Sequence, residues 1–229
     1  NTWSEQYGAT VVNNTNFLVE SYLDGEEYAI DAYFNERGET VILDILKHDF
    51  AGTDDVSDRL YYTSKAVIEG NMQAMKDFLV KSNELLGFKN FPVHVEVRVD
   101  EAGVVTPIEF NPMRFAGLCT TDLSYFAYGF KTYEMYLRNE QPNWNEVLAD
   151  KEGKRYSMVM LSTDGTALPD AYSFDYEAVQ QKFSKVLACR QLNAKQYNTF
   201  GVLFTEASDE AWMEESDYIL HSTLQEFLS

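Results

Sequence analysis

The stretch HVEVRVDEAGVVTPIEFNPMRFAG, residues 94–117, decides how this chain is read. Two alternating runs, 93–99 and 104–110, flank the turn-forming sequence DEAG, the pattern of a β-hairpin. Pairing Val99 with Val104 sets Glu96 opposite Pro107 and His94 opposite Glu109. Glu96 and Glu109 then become diagonal neighbours on one face, roughly 7–8 Å apart at the backbone, and Asn111 continues that face. Val95, Val97, Ile108 and Phe110 cover the other face, where a core belongs. Proline at 112 ends the ladder and lets Asn111 turn toward the carboxylates.

Most polar strand faces are simply solvated. Two carboxylates and an amide oxygen also suit a hard cation: magnesium takes such oxygens at about 2.0–2.1 Å and keeps positions open for water and phosphate. From these residues alone both readings stand.

Upstream of the hairpin, EEYAIDAYF alternates with Tyr28, Ile30, Ala32 and Phe34 on one side. NERG turns the chain and ETVILDILKHDF returns it as a second strand. Residues 11–19 predict a short strand around NFLV. Residues 64–86 predict a helix capped by Ser64 and stopped at Gly87, with Val67, Ile68, Met72, Met75, Leu79, Leu85 and Leu86 at roughly helical spacing. RLYYTSK, 59–65, reads as packing at the entry of that helix. Residues 121–138 predict a further helix, and RNEQPNWN a linker. The tail predicts a β-α-β-α unit: a strand at RYSMVMLST, a helix over 175–191, a strand at TFGVLFTEA and a helix over 209–228.

With 229 residues, 45% of them hydrophobic, the chain can bury a core. Its formal charge of −19 repels nucleic-acid phosphates, and no nucleic-acid partner is expected. Two cysteines, Cys119 and Cys189, make no disulfide framework, so a reducing cytoplasm is the expected compartment. Cys119 reads as a small packing residue. No stretch approaches the ~18 apolar residues of a spanning helix, and no membrane partner is expected. The chain starts at Asn1 and runs almost at once into a strand-like segment, which suggests a piece of a longer protein.

The 94–117 hairpin resembles the metal-binding hairpin of the ATP-grasp superfamily, with a glutamate on one strand and Glu-x-Asn on the next. FLVESYLDGEEYAIDAYF, 17–34, resembles the nucleotide hinge of the same superfamily, in which Gly-x-Glu opens a strand. The likeness covers roughly residues 15–140. It implies Glu96, Glu109 and Asn111 as ligands of magnesium, with manganese as a substitute. It implies Glu20 and the backbone of Tyr22 and Leu23 as the adenine hinge, and Glu27 as the holder of the ribose hydroxyls. Arg114 resembles the arginine that steadies phosphate or the tetrahedral intermediate, one position later than the superfamily's usual Glu-x-Asn-x-Arg, because Met113 fills that slot.

The resemblance also implies a fold and a reaction. The fold is α+β: an ATP-grasp C-terminal lobe over 1–145, with an antiparallel sheet and packed helices, plus a small α/β domain over 152–229. The reaction uses ATP to convert a small carboxylate into an acyl phosphate, which an amine or thiol attacks. The phosphate-covering glycine-rich loop and lysines of the superfamily would come from an upstream half of the same protein. Variable loops such as KHDFAGTDDVSDRL, 47–60, would help shape the acceptor pocket. Lys47 reads as a cross-strand ion pair with Glu26 and Glu27, His94 equally as a supporting partner of Glu109 or as a packed neutral histidine, and Asp31 as facing the cleft. The alternative is a nucleotide- or metal-binding regulatory module without chemistry.

Overall fold

The computed structural model describes residues 19–163, 165–194 and 198–229. The strand expected over 11–19 lies, but for Val19, outside them. Eight antiparallel strands form one sheet in the order β5-β4-β1-β2-β3-β6-β8-β7. In chain order they are β1 Glu26–Phe34, β2 Thr40–Asp49, β3 Leu60–Ser64, β4 Phe91–Val99, β5 Val105–Pro112, β6 Lys154–Ser162, β7 Val186–Gln191 and β8 Thr199–Ser208.

The first α-helix among the described residues, α1 (Lys65–Leu86), starts and stops where its caps predict. The Ser64 side chain accepts from the backbone N–H of Val67 at 3.1 Å, and Gly87 closes the helix in the left-handed region at φ +67. Its buried residues Val67, Ile68, Met75 and Leu79 pack on Ile30, Ala32, Phe34, Val93, Val95 and Val97. Those are the inward positions of β1 and β4, so the alternation of those strands places α1. The expected helix over 121–138 is two: α2 (Asp122–Tyr128) and α3 (Thr132–Arg138), broken at Gly129, which sits at φ +82. Both lie against the opposite face, where Leu123 and Ala127 cover Ala29 and Leu46, and Phe115 covers Tyr33 and Leu43.

Three local readings are corrected. RLYYTSK is not only a helix entry: Leu60–Ser64 is β3, paired with β2 on one side and β6 on the other. The strands of the tail therefore extend the main sheet across the 145–152 region. After the short helix α4 (Trp144–Val147), the helix expected over 175–191 stops at the end of α5 (Tyr176–Gln180), and Val186–Gln191 is the edge strand β7 beside β8. A weak helical period there yields to the unpaired edge of β8, a partner far from local sequence. The last helix, α6 (Asp209–His221), ends seven residues early and gives way to a 3₁₀ turn, Leu224–Phe227. Buried Arg59 donates to the carbonyls of Ile219 and Ser222 at 2.9 and 2.7 Å, which satisfies acceptors at the end of α6 from the start of β3.

The decisive hairpin departs from its expected register. Val99 pairs with Val105 and Val97 with Pro107, then Ile108 bulges out. Glu96 consequently faces Glu109 directly, and His94 faces Asn111. β5 is an edge strand, the position that tolerates both Pro107 and Pro112.

Candidate functional site

On the face away from α1, side chains stand in rows that run across three or four strands. Arg98, Glu27 and His48 form one row; Glu109, Glu96 and Ala29 form the next; Asn111, His94, Asp31 and Asp44 form the third. The alternation of β1, β4 and β5 thus brings Glu27, Glu96, Glu109 and Asn111 to one side of the sheet.

Glu27 is held from both sides. Its Oε1 lies 2.9 Å from His48 Nδ1, and its Oε2 accepts from Arg98 Nη2 at 2.9 Å. Burial works against ionisation, but the hydrogen bonds and charges of His48 and Arg98 outweigh it and hold the carboxyl below its usual range. Arg98 also donates to the Gly25 carbonyl at 3.3 Å and reaches the Tyr22 hydroxyl at 3.4 Å. Its guanidinium lies over the Tyr22 ring, 5.6 Å from the centroid. Gly25 allows this arrangement, because a Cβ there would sit 2.3 Å from the Val99 carbonyl oxygen. Tyr22, Glu27, His48, Phe50 and Arg98 line a cavity of about 390 Å³. Of the other expected hinge residues, Glu20 is exposed and Leu23 half-buried.

Lys47 points the other way. It pairs with Tyr28, on the α1 side, and forms ion pairs with Glu26 and, at 3.5 Å, Asp49. Glu27 is not its partner.

His94 sits between carboxylates, its Nδ1 2.8 Å from Asp31 Oδ1 and its Nε2 3.2 Å from Glu96 Oε1. Burial disfavours the charged ring, yet these two partners raise its pKa to about 9. The same Asp31 oxygen accepts the Ala116 N–H at 2.9 Å. One buried carboxylate therefore braces both the Glu96 strand and the loop that carries Arg114. That loop holds three non-glycine residues in left-handed backbone: Met113 at φ +62, Leu118 at +40 and Cys119 at +61. Such strain persists only where surrounding contacts over-determine it. Arg114 donates through Nη1 to the Phe115 carbonyl at 3.1 Å. With Asp58, Tyr61, His94, Glu96 and Leu118 it lines a second cavity, of about 410 Å³.

Among the described residues, no group of three His, Cys, Asp or Glu side chains is arranged to hold a metal. The donor set implied by the sequence contains only two carboxylates, and its third member is an amide. Asn111 has a buried Nδ2 with no hydrogen-bond partner, so no bond fixes its amide against turning. Two directly opposed carboxylates and an untethered amide match the oxygen donors that magnesium takes.

Sequence reasoning missed Arg98, His48 and the bracing role of Asp31. Arg98 was legible as the residue two beyond Glu96 and hence on its face. His48 and Asp31 depend on pairings that β1 makes with its neighbours.

The first 122 residues match the ATP-grasp domain model, and the chain belongs to that family. No curated protein matches it. Solved structures share its fold. An L-amino acid ligase from Bacillus licheniformis is 17% identical with a TM-score of 0.61, over 90% of this chain and 54% of that one. A phosphoribosylaminoimidazole carboxylase ATPase subunit from Aquifex aeolicus is 15% identical with a TM-score of 0.58, over 88% and 57%. A biotin carboxylase domain from Hydrogenobacter thermophilus, solved with MgADP and bicarbonate, is 11% identical with a TM-score of 0.53, over 80% and 42%. The chain spans about half the length of the first two and less of the third. Among the described residues no helix is long and apolar enough to cross a membrane.

Proposed function

We propose that this chain is the nucleotide- and metal-holding half of an ATP-dependent ligase that activates a small carboxylate. The observation that carries this reading is the shared sheet face. Glu27 with its Arg98 clamp stands at one end of it, and the opposed Glu96 and Glu109 stand one row away.

In this reading the 390 Å³ cavity takes the nucleoside. Tyr22 and Leu23 offer backbone groups to adenine beside Glu20, and Glu27 accepts from the ribose hydroxyls. Glu96, Glu109 and Asn111 would hold magnesium, which offsets phosphate charge when bound. Arg114 and Arg98 supply fixed positive charge on a protein of net charge −19, where an anionic ligand needs local cations. An oxygen of the substrate carboxylate attacks the γ-phosphorus and ADP leaves. An amine or thiol then attacks the acyl carbon and releases phosphate. The side chains named here orient and neutralise, which is most of what phosphoryl transfer asks of a protein. The lid and further phosphate contacts would come from another part of the same protein.

Calorimetry with ATP and magnesium tests the reading. Glu27→Gln should weaken ATP binding at least several-fold and leave magnesium-induced stabilisation in place. ATP affinity unchanged by Glu27→Gln would move the nucleoside elsewhere.

A further inference from the structure

Asp31 on β1 and Asp44 on β2 are cross-strand partners, and both are buried, at 0% and 1% exposure. Each holds one end of the same segment. Asp31 Oδ1 accepts the Ala116 N–H at 2.9 Å, and Asp44 Oδ2 accepts from the Ser124 hydroxyl, in the first turn of α2, at 2.6 Å. Between those two pins stand Leu118 and Cys119 in left-handed backbone, which persists only where contacts hold it. The other Asp44 oxygen accepts from the Ile45 N–H at 2.8 Å and the Thr63 hydroxyl at 3.0 Å. Asp31 Oδ2 is buried without a hydrogen-bond partner. From the other elements, His94 on β4 meets Asp31 Oδ1, and Tyr128 on α2, kept neutral by burial, meets Thr63 at 2.8 Å. Among the described residues His94 is the one ion-pair partner of either carboxyl.

We propose that Asp31 and Asp44 share one proton, and that this proton clasps the 116–124 segment to the sheet. Two ionised carboxylates facing each other out of water repel strongly, and one proton between them removes the repulsion. A protonated Asp44 has an O–H to give, and Asp31 Oδ2 on the facing residue is an acceptor without a donor. Burial and the facing Asp31 charge raise the Asp44 pKa to about 7, against the hydrogen bonds from Ser124, Thr63 and the Ile45 N–H. The proton is therefore held below neutral pH and leaves to water above it. Its loss sets two like charges directly opposite across β1 and β2 and weakens both pins together. Arg114 lies two residues before Ala116 and follows the segment, so the clasp sets how firmly its guanidinium is presented. The clasp does not depend on which ligand Arg114 meets.

The test is NMR of the 229-residue chain titrated across neutral pH, following side-chain carboxyl carbons and backbone amides. The expected result is one shared step, in which the Asp31 and Asp44 carbons and the Ala116 and Ser124 amides change at the same midpoint. Corrected for the intrinsic rate, hydrogen-exchange protection of Ala116 should fall about tenfold above that midpoint. In Asp44→Asn the carboxamide donates at every pH, so the Ala116 step should vanish and its protection should stay at the low-pH level. Should that variant not fold, Ser124→Ala serves: it removes a donor to the ionised Asp44 and should move the midpoint up. Asp44 titrating with no response at Asp31 or Ala116, an Ala116 step that survives Asp44→Asn, or a midpoint unmoved in Ser124→Ala overturns the inference. So do steps that follow potassium concentration instead of pH, which would put a cation between the carboxylates.

Discussion

Glu96 and Glu109 stand directly opposite each other on neighbouring antiparallel strands because Ile108 bulges out of β5. Without that bulge the observed Val97–Pro107 register would set Glu96 opposite Ile108 and turn Glu109 to the other face. Directly opposed like charges destabilise a sheet, so the arrangement gains when a cation joins them. Millimolar magnesium should therefore raise the melting temperature. An ion binding only the folded state adds about 2.7 kcal/mol at a hundred times its dissociation constant. Glu109→Gln should raise the melting temperature without magnesium and shrink the rise with it. An undiminished rise in the variant, read by calorimetry, would place the ion elsewhere.

Asp44 should make stability fall as pH rises. It is buried beside Asp31, and burial, aided by the Asp31 charge, pushes its pKa up to about 7 despite hydrogen bonds from Ser124, Thr63 and the Ile45 N–H. The unfolded side chain titrates near 3.9. Between about pH 4 and 7 the folded state holds a proton that the unfolded state has lost, so this contribution declines over that window and is flat above it. Urea midpoints at pH 5 and pH 8 should differ less for Asp44→Asn than for the wild type. Parallel pH profiles for the two proteins would remove Asp44 as the cause.

Leu79→Ala tests whether α1 is a scaffold or part of the site. Leu79 is fully buried against the α1 face of the sheet, so its truncation should cost about 2–5 kcal/mol of stability. The magnesium-dependent stabilisation should survive, because every proposed ligand lies on the other face. Loss of the magnesium response in a folded variant would link the two faces.

By itself the 229-residue chain should bind ATP no tighter than about 1 mM, near −4 kcal/mol. Arg98 and Arg114 are the arginines that line its two site cavities, and the proposed reaction draws further phosphate contacts from outside it. Phosphate release in a coupled assay should stay at background. Micromolar binding with turnover would show that these residues already make a complete site.

What the sequence by itself determined is whatever follows from local period and local caps. The hairpin at 93–112, α1 with Ser64 and Gly87 at its ends, and the alternation that sets Glu96 apart from Val95 and Val97 and Glu109 with Asn111 all follow from local period or capping. The tertiary structure alone decided three things. A one-residue change of register, Val99 on Val105 rather than Val104, and the bulge at Ile108 together turned a diagonal pair into a facing one, since side-chain parity is silent about an extra residue on an edge strand. Val186–Gln191 became strand rather than helix because β8, not its own sequence neighbours, offered the partners. The links from His48 and Arg98 to Glu27, and from Asp31 to both His94 and Ala116, join residues 21 to 85 positions apart. Such contacts are set by which strands lie side by side, and sheet order is a property of the whole chain's packing that no short window of sequence contains.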